Sequence, residues 1–184
     1  MKKFCIIFLM SIIISLAVLG MGVFSNDGGM SAFTGTSAQQ NAYIRIHIRA
    51  DSNESEAQAV KYKVRDAVVD FLTPLVAEYE SKAEATTGVQ RNLLGVERVA
   101  SEVLRKNGFP YGATARLERE EFPTRVYGEY TLPAGEYTAL IVRLGSGKGD
   151  NWWCVVYPPL CFAATDSNVI YKSKIKEIID RFYR

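Results

Sequence analysis

Histidine is nearly missing from this chain, which has one, His47, in 184 residues, and cysteine is scarce at three. Zinc sites and thiol–imidazole pairs are built from those two residue types, so neither a metal nor a cofactor is expected. Charge of one sign is also missing: 22 basic residues face 20 acidic ones, and two of the bases, Lys2 and Lys3, stand at the extreme N-terminus. With no basic excess and no basic run, the chain lacks the electrostatic footprint of nucleic-acid binding, and no nucleic-acid partner is expected. Repeat-array, collagen-like and wholly disordered compositions are absent as well. The 48% hydrophobic content suits one globular domain of ordinary size.

One long apolar run is present, at the start. "MKKFCIIFLMSIIISLAVLGMGVF", residues 1–24, is a short cationic region followed by uncharged residues from Phe4 to Phe24. This reads as a signal peptide or an N-terminal signal anchor, and its length fits either, since about 20 apolar residues cross a bilayer as a helix. In both cases Lys2 and Lys3 stay inside, the rest of the chain is delivered outside, and the membrane is touched only through this leader. Residues 25–41, "SNDGGMSAFTGTSAQQN", are rich in Gly, Ser and Thr without apolar period and read as a flexible linker. Cys5 lies in the leader, which leaves Cys154 and Cys161 in the exported part as a candidate disulfide.

Residues 42–184 read as a single extracytoplasmic α+β domain. In "YIRIHIRAD", Ile44, Ile46 and Ile48 alternate with Arg45, His47 and Arg49, as in a strand with one buried and one polar face. A helix follows, with Asn53 and Glu56 as its expected cap pair, a core face at Val60, Val64, Ala67, Val68, Phe71 and Leu75, and a kink or break at Pro74. A second helix is expected from Gln90 to Asn107, stopped by Gly108. Strand patterns then run through "ATARLEREEF", a short segment before Pro133, Tyr137 to Leu144 and "WWCVVY". An amphipathic helix through Tyr171, Ile175, Ile178, Ile179 and Phe182 closes the chain. The order strand, helix, helix, strands, helix implies an antiparallel sheet packed against helices.

The chemistry-bearing candidates concentrate in "GSGKGDNWWCVVYPPLCF". Its glycine loop lacks the spacing and the hydroxyl of a phosphate-binding loop, and reads as a hairpin connection. Cys154 or Cys161 as a nucleophile would need His47, whose neighbours Arg45 and Arg49 oppose an imidazolium; a surface or interface histidine is the plainer reading. Glu118 and Glu120 project from one face of a strand, and with Trp152 and Trp153 as a stacking surface they allow a peptidoglycan hydrolase or glycan-binding module. Alternating Arg and Glu on a solvated strand explains the same residues without chemistry. Trp152 and Trp153 point to opposite faces of their strand. Either one is exposed beside Tyr157, Pro158 and Pro159 as an anchor for a protein partner, or both lie under the last helix.

"IRIHIRADSNESEAQAVKYKVRDAVV" and "LPAGEYTALIVRLGSGKGDNWWCVVYPPLCF" together resemble the stage II sporulation protein R family. The likeness spans about residues 43 to 162 and agrees with the apolar leader; the stretch after Phe162 carries no matching motif. It implies a signalling role in sporulation: export from the forespore into the space between the forespore and mother-cell membranes. There such proteins trigger a membrane-bound sporulation aspartic protease that matures a sigma-factor precursor of the mother cell. The resemblance brings no catalytic residues with it, and implies a protein that is not an enzyme.

Overall fold

The computed structural model describes residues 40–162 and 172–184. The leader, the linker up to residue 39, and Tyr171 lie outside the described residues. The element order is β1 (Ile44–Arg49), α1 (Ser55–Val76), α2 (Lys82–Arg91), α3 (Leu93–Lys106), β2 (Ala113–Phe122), β3 (Arg125–Tyr127), β4 (Tyr130–Leu132), β5 (Gly135–Leu144), β6 (Asn151–Tyr157) and α4 (Lys172–Phe182). This is the expected α+β class, with helices ahead of strands.

The four-stranded sheet has the order β2-β5-β1-β6, and β3 and β4 form a separate hairpin. β1 runs parallel to β5, from Ile44 beside Thr138 to Arg49 beside Arg143, and antiparallel to β6. The sheet is therefore mixed, where an antiparallel one was expected. The physical reason is the connection: three helices separate β1 from the later strands, and a crossover of that length lets two strands lie parallel. β5 and β6 are not hairpin partners either, because β1 is inserted between them. The glycine loop must span two strand spacings, roughly 10 Å, across the end of β1.

That crossing is stitched to the turn after β1. Asp51 accepts from the amide of Ser146 through Oδ1, and from the hydroxyl of Ser146 and the amide of Lys148 through its carbonyl. The Gly149 amide donates to Ala50 O at 2.8 Å, and the Asp150 amide to Asn53 Oδ1 at 2.7 Å. Buried Lys61 of α1 reaches the same place, donating to Gln58 Oε1 at 2.6 Å and to Asp150 O at 3.0 Å. Burial lowers its pKa, and Asp150 opposes the shift. Asn53 is thereby spent on the loop, and Glu54 takes the cap position of α1 with no side-chain hydrogen bond.

Helices cover one face of the sheet. Val60, Val64, Val68, Leu72 and Val76 of α1, Val96, Ala100 and Leu104 of α3, and Ile175, Ile178 and Ile179 of α4 pack on Ile44, Ile46, Ile48, Leu140, Val142 and Leu144. The expected face of α1 is rotated slightly near its end, where Leu72 and Val76 are fully buried and Phe71 and Leu75 half so. Pro74 does not divide α1: it falls in the last turn, and the helix ends two residues later. α2 was not anticipated, and the expected second helix starts at Leu93 instead of Gln90. α2 has few apolar residues, yet its start is signalled by Ser81, whose Oγ accepts from the Glu84 amide at 3.2 Å. Gly108 ends α3 with φ 80°, as expected.

A Cβ at Gly149 would collide with the Ser52 carbonyl, so Gly149→Ala costs about 1–3 kcal/mol, read as a fall of several degrees in Tm. Cys154 and Cys161 are joined as a disulfide with Cα atoms 6.2 Å apart and a sequence separation of 7. Its removal in a Cys154→Ser/Cys161→Ser variant lowers stability by about 2–3 kcal/mol, and reductant moves the wild-type melt but not the variant's.

Candidate docking surface around the tandem tryptophans

β6 is an edge strand, and alternation sends Trp152 and Trp153 to opposite sides of the sheet. Both are half-buried, so neither of the two expected arrangements holds. On the helix side Trp152 packs at the rim of the main core. The Arg65 guanidinium lies 5.8 Å from its ring and 5.1 Å from the Tyr62 ring, and Tyr62 is 44% exposed. Arg65 also pairs with Asp66 at 2.7 Å.

On the other side Trp153 stacks on His47 with centroids 4.8 Å apart and planes 6° from parallel. Phe122 meets the same indole edge-on at 4.9 Å, and the Arg125 guanidinium sits 5.8 Å away. β2 and β5 are ten residues long against six for β1, and these contacts bring the far end of β2 over β1 and β6. The result is a second, smaller core of Tyr43, Phe122, Leu132, Tyr137, Ala139, Ile141 and Val155.

That second core buries what was expected to be a polar face. Arg45 and His47 are both 0% exposed. The Arg45 guanidinium lies 4.3 Å from the Phe122 centroid and 4.8 Å from that of Tyr137, and donates to the Tyr127 hydroxyl at 3.0 Å. Among the described residues no carboxylate lies within ion-pair distance of it. Ring faces, the Tyr127 hydroxyl and the Pro123 carbonyl, which accepts from Arg45 Nη1 at 3.4 Å, carry a charge that would otherwise be costly to desolvate. His47 is therefore not a surface histidine. Arg49 Nε donates to its Nδ1 at 3.4 Å, which leaves the proton on Nε2, 3.6 Å from Glu120 Oε2. Arg49 closes the set by an ion pair with Glu120. Burial, then the charge of Arg49, pushes the His47 pKa down to about 4; the nearby Asn151 side chain opposes this, and Arg143 and Arg45 add to it.

The remaining candidates separate. Cys154 belongs to the helix-side core while His47 faces the other way, so the structure does not bring thiol and imidazole together. Glu118 is exposed, whereas Glu120 is held by Arg49. Tyr157, Pro158 and Pro159 are buried, Tyr157 edge-on to Phe182 at 6.3 Å, so the Pro-Pro corner is not part of a surface. Among the described residues no group of three or more His, Cys, Asp or Glu could hold a metal ion, and no helix is long and apolar enough to cross a membrane. Tyr62, Arg65 and Arg125 join the surface without having been singled out. Their helical or turn context was readable, but their nearness to the indoles depends on which strands pair.

The model of one protein family, stage II sporulation protein R, matches residues 40–167. The chain belongs to that family. A protein named stage II sporulation protein R from Bacillus subtilis (strain 168) is 39% identical over 119 residues, covering 65% of this chain and 53% of that relative. The chain thus spans about half the length of the curated relative it matches. No solved structure matches it. Membership of the stage II sporulation protein R family gives the chain a sporulation role. The matched region holds both the turn after β1 and the glycine loop, so the stitched end of the sheet and the tandem tryptophans lie inside it.

Burial of neutral His47 has a pH signature. Its folded pKa of about 4 lies below the unfolded value of 6.5, so the unfolded chain takes up the proton first. The contribution is complete above pH 6.5 and is lost as pH falls towards 4, a loss of about 3 kcal/mol. A His47→Gln variant, compared with wild type by denaturant melts from pH 7.5 to 4, lacks that part of the slope.

Proposed function

We propose that this chain is an exported sporulation signal that activates a membrane-bound aspartic protease by docking to it, leading to maturation of a mother-cell sigma-factor precursor. The protein is secreted from the forespore into the space between the two membranes, with membrane contact only through its leader, whether that is cleaved or kept as an anchor. The observation that carries the docking reading is the composition of the surface at β6. On the helix side the half-buried Trp152, the exposed Tyr62 ring and the Arg65 guanidinium stand together, and on the other side the half-buried Trp153 has the Arg125 guanidinium 5.8 Å from its ring. Trp, Tyr and Arg are the residue types that dominate binding energy at protein interfaces. Family membership supplies the sporulation context.

Activation by docking needs no bond-making group in this chain. The catalytic aspartates belong to the partner, and the activator has only to bind the competent state of the protease more tightly than the idle one. A preference of about 3 kcal/mol shifts that balance by two orders of magnitude.

The test is co-production of the full chain with the protease and the precursor in a non-sporulating host. Precursor cleavage is expected only when all three are present. Trp152→Ala and Trp153→Ala variants that keep the wild-type circular dichroism lower the cleavage rate by about tenfold or more, the scale of a hot-spot residue. No cleavage with both proteins correctly located, or cleavage indifferent to both tryptophans, overturns the reading. So does turnover of a cell-wall substrate by the purified chain alone.

A further inference from the structure

The two edges of the sheet are treated differently. At the β2 edge, α3 supplies acceptors to the outward backbone: the Ala113 amide donates to Ser101 Oγ at 2.9 Å and the Ala115 amide to Glu97 Oε1 at 2.8 Å. Beyond those two amides β2 carries Arg116, Glu118, Arg119, Glu120 and Glu121, the charges that keep an edge from pairing with a foreign strand. β6 has neither protection. Its sequence, Asn151 to Tyr157, contains no charged residue, it pairs with β1, and among the described residues no side chain caps its outer backbone. Its first three residues are only half-buried, whereas Cys154 to Tyr157 are buried.

From this asymmetry we infer that the start of β6, Asn151 to Trp153, is a strand-addition site that takes an extended, acidic segment of a partner protein. This rests on the docking reading above and narrows it. An added strand would hydrogen-bond to the backbone edge of these three residues, which no side chain caps among the described residues, and its alternate side chains would fall on the two sides of the sheet. One row would meet Trp152, Tyr62 and Arg65; the other would meet Trp153 and Arg125. The acidic preference comes from the cations beside the two indoles. Arg125 is exposed, and among the described residues no carboxylate lies within ion-pair reach of it. Arg143, also exposed, lies in the same row of the sheet as Asn151. A second copy of this chain, paired β6 to β6, would set Arg65 and Arg125 against their own kind, which disfavours it as the occupant.

The probe is an eight-residue peptide alternating Glu and Val, blocked at both ends, with a Lys–Val peptide of the same length as its control. Each is titrated into the full chain, read by tryptophan fluorescence and by amide hydrogen exchange. The acidic peptide is expected to quench saturably and to slow exchange across 151–153 while leaving 113–122 unchanged. The lysine peptide binds at least tenfold more weakly, as does the acidic peptide to Arg125→Glu. A Trp152→Lys variant, which places a charge on the edge, abolishes the protection while its melting curve shows the fold retained. Several results overturn the inference: full protection of 151–153 in the free chain, meaning its own residues cover the edge; a concentration-dependent dimer broken by Trp152→Lys; protection appearing at β2; or equal binding of both peptides. The readout involves no protease, so loss of precursor cleavage with peptide binding intact would fault the protease assignment alone.

Discussion

β1 supplies both of its backbone edges to later parts of the chain, one to β5 and one to β6. Without it the sheet would fall into two pieces, because β5 and β6, though consecutive, share no hydrogen bonds. The glycine loop is the consequence: it has to cross the end of β1, and it does so tied to Asp51 and Asn53 in the turn that follows that strand. Small residues are required there because the two backbones nearly touch, as the collision facing a side chain at Gly149 shows. The Gly and Asp residues of this stretch therefore serve the connection between strands.

Placing β1 centrally also decides what happens to its alternation. Ile44, Ile46 and Ile48 enter the helix-covered core, while Arg45 and His47 are closed over by the long end of β2 and by the β3–β4 hairpin. A guanidinium and an imidazole inside a small aromatic core are tolerated because rings, a tyrosine hydroxyl and the Arg49–Glu120 pair surround them. Arg45 is charged and His47 neutral at neutral pH, which is the cheaper division when cations share one buried volume.

Rigidity at the tryptophans follows from these two features. Trp153 lies flat on a buried histidine and Trp152 on the edge of the main core, with Cys154 beside them tied to Cys161. Anchors held in place before binding lose little conformational freedom on contact, and this is how a small rigid body can bias a larger partner. The docking role proposed above thus asks nothing of the fold beyond what its packing already supplies.

Much of this was legible in residue order alone. The isoleucine alternation of β1, the run from Tyr137 to Leu144, the stop at Gly108 and the amphipathic last helix all emerged from periodicity, because local spacing determines which side of an element is apolar. The pairing of Cys154 with Cys161 was readable as a candidate from compartment and count. Residue order could not give the parallel partnership of β1 with β5, the burial of Arg45 and His47, or the neighbourhood of Tyr62, Arg65 and Arg125 around the indoles. Each depends on contacts between residues far apart in the chain: His47 meets Trp153, and Arg45 meets Phe122, only once β1 has been inserted and β2 has curled over it. Alternation states that a strand has two faces; whether the polar one meets water or a second core is decided by what else the sheet must cover.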